Sequence, residues 1–180
     1  MFGLVAKWKR NRPDRLTRLT RAIEAIAERD NKLIEESTQV DQLRSRGAAE
    51  LHGICHVFVE KVNGLLSESS VLLDPPSFAE GDFQDGPNLF QINLRGRLLQ
   101  IEFAATGELY ETDDFKRPYV LRGSVRSFNQ DLLQHNTVDE QLIFYCPNGG
   151  GADWFFFDER TYRTGRLGED YLISEMERLL

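Results

Sequence analysis

The sequence is poor in the residues that most often announce chemistry. It holds two cysteines, two methionines and three histidines in 180 residues. Cys55 and Cys146 lie far apart and cannot build a disulfide framework. Both sit in apolar surroundings, Gly53-Ile54-Cys55-His56-Val57-Phe58 and Ile143-Phe144-Tyr145-Cys146-Pro147. They read as reduced thiols packed as small hydrophobes, which fits a cytoplasmic protein. No apolar run approaches the ~20 residues of a membrane helix. The N-terminus places its short apolar run, Met1–Ala6, before its basic residues, the reverse of a signal peptide. The expectation is a soluble cytoplasmic chain, at most peripheral at a membrane.

Catalytic signatures are missing too. Gly-x-Ser-x-Gly, which seats a strained nucleophile on a strand-to-helix turn, does not occur. Asn148-Gly149-Gly150-Gly151 lacks the Lys and Ser/Thr that a phosphate-cradling loop needs, and reads as a hairpin turn. The acidic loops with Glu80, Asp82 and Asp85, and with Glu108, Glu111, Asp113 and Asp114, lack the order of a calcium loop. His52, His56 and Glu60 follow one helix line, but the zinc-protease pattern needs Glu directly after the first His, and Gly53 stands there. No catalytic residue, no metal site and no cofactor are expected.

What is present is an ordinary globular composition, 41% hydrophobic and 28% charged. The formal net charge of -7 hides an asymmetry. Lys7, Lys9, Arg10, Arg12, Arg15, Arg18 and Arg21 face a single acid, Asp14, so residues 1–21 carry +6 and the remainder carries −13.

Periodicity predicts helices first, then strands, then a helix. Residues 1–12 form a basic amphipathic head, residues 13–66 a helical arm and core helix, and residues 67–180 an antiparallel sheet domain with a C-terminal helix. Leu16, Leu19, Ile23, Ile26, Asp30, Leu33, Ser37 and Val40 step by three and four, a heptad ladder with two polar interruptions. So narrow a seam needs a partner helix, from this chain or from a second subunit. Arg46-Gly47 is a candidate break, after which Leu51, Ile54, Cys55, Phe58, Val62, Leu65 and Leu66 form a wider core stripe. Residues 67–88 read as a turn-rich connection. Alternation marks strands at Leu89–Leu94, Leu98–Phe103, Tyr119–Phe128, Gln141–Cys146 and Asp153–Asp158, with a short sixth at Thr161–Thr164. Arg95-Gly96 is the first hairpin turn, and Gly107–Lys116 an acidic connection. Leu172, Ile173, Met176, Leu179 and Leu180 form the last stretch as an amphipathic helix. The fold class is α+β, a long helix or helical pair packed on an antiparallel meander of five or six strands.

Three surfaces invite a functional reading. The first is the seam itself, Leu16, Leu19, Ile23, Ile26 and Leu33, as an oligomer contact. The second is the basic head, with Phe2, Leu4, Lys7, Trp8, Lys9 and Arg10 placed to meet a protein, a membrane or, less readily, nucleic acid. The third is a polar sheet face where Arg95, Arg122 and Arg126 would bind an anion or a peptide, as guanidinium pairs do. The leading expectation is a non-enzymatic interaction or accessory module, with a protein partner or self-association. The alternatives are a small enzyme for an anionic substrate on the sheet arginines, and a membrane or nucleic-acid adaptor through the N-terminus.

Overall fold

The structure is a computed structural model that describes residues 12–110, 115–129 and 138–180. The basic head, with Phe2, Leu4, Lys7, Trp8, Lys9 and Arg10, lies outside the described residues. The chain divides after Asp41 into two units.

One helix, α1, runs over Arg12–Leu65 and crosses that division. Arg46-Gly47 does not break it. Gly47 has a packing reason to be there, because a Cβ at that position would stand 2.5 Å from two ring carbons of Tyr145. The missing side chain lets the helix backbone lie against the ring, and the Trp154 indole N–H donates to the Gly47 carbonyl at 2.7 Å. Within the second unit, α1 thus buries Ala48, Leu51, Cys55 and Phe58.

Seven strands form one antiparallel sheet in sequence order: β1 Leu72–Asp74, β2 Asn88–Leu94, β3 Arg97–Tyr110, β4 Tyr119–Phe128, β5 Asp139–Asn148, β6 Gly151–Asp158 and β7 Arg163–Arg166. A short second helix, α2, spans Glu169–Glu177. The α+β meander is therefore as the alternation implies, with one strand more. That strand, β1, is three residues long, too short to show a period. Its start is held by Asn63 of α1, whose Oδ1 accepts from the Val71 N–H at 2.7 Å and whose Nδ2 donates to the Val71 carbonyl at 2.9 Å. Arg95 and Gly96 both have positive φ, 51° and 87°, the hairpin geometry their sequence signals. β3 continues to Tyr110, into the stretch expected as an acidic connection, with a register irregularity between Ala105 and Tyr110.

Register sorts the sheet's side chains onto two faces. Phe90↔Ile101↔Val125, Phe103↔Gly123↔Ile143 and Leu121↔Tyr145↔Trp154 run as rows under α1. These side chains are fully or nearly fully buried and make the main core. The aromatic run of β6 splits between the faces. Phe156 stacks on Tyr171 of α2, with ring centroids 4.7 Å apart. Phe155 and Phe157 join a second cluster with Phe115, Tyr119, Phe144 and Cys146. A strand apolar on both sides is thus covered on both sides.

Candidate functional site

The sheet face opposite α1 carries two of the three arginines singled out from sequence. Arg122 and Arg126 share that face of β4 with Ser124, by the two-residue period. Arg95 does not join them. It sits in the hairpin turn past the Leu94↔Arg97 pair, beside a hollow of 530 Å³ lined with Glu68, Ser69, Ser70 and Asn93. Arg126 is bracketed by carboxylates from both neighbouring strands. Its Nε lies 3.0 Å from Glu140 Oε1, and its Nη1 lies 4.0 Å from Glu102 Oε2. Arg122 borders a shallow hollow of 680 Å³ that also holds Asp139, Glu140, Glu159 and Arg160. An anion entering there meets three carboxylates for two guanidinium groups, so the field does not favour it.

No group of three or more His, Cys, Asp or Glu side chains able to hold a metal occurs among the described residues. The His52 Nε2–H donates to the Pro75 carbonyl at 2.8 Å, and its ring packs on Phe78 and Phe90. It secures the loop before β2 rather than facing a ligand. Burial pushes the thiols of Cys55 and Cys146 up to about 12, so neither is a nucleophile near neutrality.

Glu175 of α2 is the one acidic side chain buried among the described residues. Burial holds its carboxyl above the ordinary range, and Asp139 and Asp158 add to this; Arg178 and the hydrogen bond from Gln141 oppose it. The proton is then bound more tightly in the folded chain than in the unfolded one. Its stabilising effect is complete below the ordinary glutamate range and is lost as pH rises through the raised value. Glu175→Gln removes the charge and keeps an acceptor for Gln141. Melting temperature against pH should show the variant gaining on the wild type from the ordinary glutamate range upward. A difference that does not change with pH would contradict this assignment.

The most unusual feature lies on α1 before Gln42. Leu16, Leu19, Ile23, Ile26, Leu33 and Ile34 are exposed at 55–64% of their full surface. Five of these are the seam residues; Ile34 is an addition. It neighbours Leu33 and widens the stripe, which the Leu33-Ile34 pair already signals. Ala22 and Ala27 flank the line and keep it low. By contrast, Leu51, Cys55 and Phe58, farther along the same helix, are buried by the sheet. The polar groups of the first unit follow a gradient. Residues 15–21 hold Arg15, Arg18 and Arg21 and no acid; residues 22–41 hold Glu24, Glu28, Asp30, Glu35, Glu36 and Asp41 against Arg29 and Lys32.

Among the described residues no helix is long and apolar enough to cross a membrane. Comparison with protein-family models, with curated proteins and with solved structures returns no match for this chain.

Proposed function

We propose that this chain is a non-enzymatic protein-interaction module whose working surface is the apolar ladder of α1 between Leu16 and Val40. The observation that carries the reading is the row of six large aliphatic side chains left more than half exposed along one helix. Full burial of each such side chain is worth about 1.5–3 kcal/mol. Contiguous exposed apolar surface of this kind marks interaction sites in well-behaved proteins. The heptad spacing is that of a helix meeting another helix. The second unit supplies the folded body. Its core packing around Tyr145 and Trp154 holds the last turns of α1 and so nucleates the helix that the first unit continues; nucleation is the costly step of helix formation. The two buried, unpaired cysteines support a reducing, cytoplasmic setting.

Trypsin offers a direct test, because Arg15, Arg18, Arg21, Arg29 and Lys32 all lie on the ladder helix. The full chain is digested alone, over a range of concentrations, and in a cell extract. An engaged ladder predicts slower cleavage in residues 15–41 for the wild type than for Ile23→Asp/Ile26→Asp. Equal, rapid cleavage of both in every condition would remove the reading.

A further inference from the structure

The ladder has both an apolar seam and a direction, set by charge. Its first turns, from Arg15 to Arg21, carry +3, and its later turns, from Glu24 to Asp41, carry −4. Any helix that covers the ladder lies along this gradient. A matching partner therefore needs the same seam spacing and the opposite polarity. One helix with both properties is this helix itself, turned end for end.

We infer that residues 15–40 of α1 pair antiparallel with the same segment of a second copy of this chain, basic end over acidic end. The inference rests on the interaction reading above and names its partner. Three observations favour this occupant in this orientation. First, antiparallel pairing brings Arg15, which borders the seam, beside Glu36 of the other copy, whereas parallel pairing sets Glu36 beside Asp41 of the other copy, like charge beside like. Second, a parallel pair in register opposes identical ladder positions, so Asp30 would face Asp30 of the second copy inside the seam. Two carboxylates forced together out of water are strongly unfavourable. In the antiparallel pair the two ladder positions of each heptad face one another across the seam, and Asp30 is spared its own copy. With the two-fold axis between residues 24 and 25, for example, Leu16 meets Leu33, Ile23 meets Ile26 and Asp30 meets Leu19. Third, Ala22 and Ala27 flank that centre, where small side chains let two backbones approach.

The experiment reads distances between copies. A nitroxide is placed on Ala25→Cys or Gln39→Cys of the full chain. Cys55 and Cys146 are buried and leave the label to the introduced thiol. Residue 25 lies near the axis and residue 39 far from it, so the antiparallel pair gives a short distance at 25. At 39 the separation along the axis is roughly 30–45 Å, at 1.5 Å rise per residue. Short distances at both positions would mean parallel helices and would overturn the orientation. Absence of any dipolar coupling between copies, with a monomeric mass, would overturn the choice of partner. Protection from trypsin in extract alone would then show the interaction reading standing without it.

Charge reversal supplies the complementary arm. Arg15→Glu and Glu36→Lys, at two charged positions that border the seam, should each weaken self-association by about threefold to tenfold, in line with small surface pairs, and mixing the two variants should restore it. In a parallel pair neither variant alone would weaken association, since like already faces like in the wild type. That pattern would count against the antiparallel assignment.

Discussion

Gly47→Ala is expected to lower the stability of the sheet-containing unit by about 3 kcal/mol, at the upper end of overpacking costs. Its melting temperature should fall by roughly 10 °C. Alanine is the better helix former, so propensity alone predicts the opposite sign. Packing wins here because the new Cβ would lie 2.5 Å from Tyr145 Cδ1 and Cε1 and 2.9 Å from Cγ, the root of the ring. The ring has nowhere to go. Tyr145 is fully buried, and its hydroxyl donates to Glu50 Oε2 at 2.7 Å. The helix cannot retreat without stretching the Trp154 hydrogen bond to the Gly47 carbonyl. Gly53, six residues on in the same helix, is the internal control. Nothing lies within 4 Å of a Cβ built there. Gly53→Ala should therefore stabilise by about 0.5–1 kcal/mol, the ordinary glycine-to-alanine gain in a helix. Denaturant melts of the two variants beside the wild type read both effects. Two shifts of the same sign would refute the close approach of α1 to Tyr145.

The second large effect concerns association. Ile23→Asp/Ile26→Asp should weaken binding at the ladder by at least about a hundredfold, since each aspartate would be buried without a partner. Ile23 and Ile26 are 57% and 61% exposed, so the same pair of changes costs the isolated chain nothing in core packing. Association should be lost while the melting temperature of the sheet-containing unit stays put. Ala25→Asp, on the flank away from the seam, is the matched control and should leave association near wild type. Sedimentation velocity and thermal melts on the three proteins separate the two readouts.

How far the sequence spoke depends on the range of the interactions involved. β4 was legible to the residue at both ends, Tyr119 and Phe128, because its alternation is a local property. The Arg95-Gly96 turn was legible for the same reason, its backbone being set by two residues. Gly47 was misleading. A glycine inside a helical pattern signals a break, and only the tertiary position of Tyr145, nearly a hundred residues later, shows the space it leaves to be used. The sheet arginines illustrate the same limit. Period-2 reasoning put Arg122 and Arg126 on one face, but strand register put Glu102 and Glu140 beside Arg126. Those carboxylates turn a candidate anion site into an ion-paired surface. Strand β1 left no local signal, since it is three residues long and depends on Asn63 of α1. The spacing of Leu16, Leu19, Ile23, Ile26 and Leu33 is local in the same way, since it needs only that this stretch be helical, as it is.

Self-association through the ladder is read most directly from the mass of the full chain, by sedimentation equilibrium at micromolar concentrations. The 20.7 kDa chain should form a reversible dimer that dissociates on dilution. Ile23→Asp/Ile26→Asp should be monomeric throughout. A wild type that stays at 20.7 kDa at every concentration, indistinguishable from the variant, would contradict it.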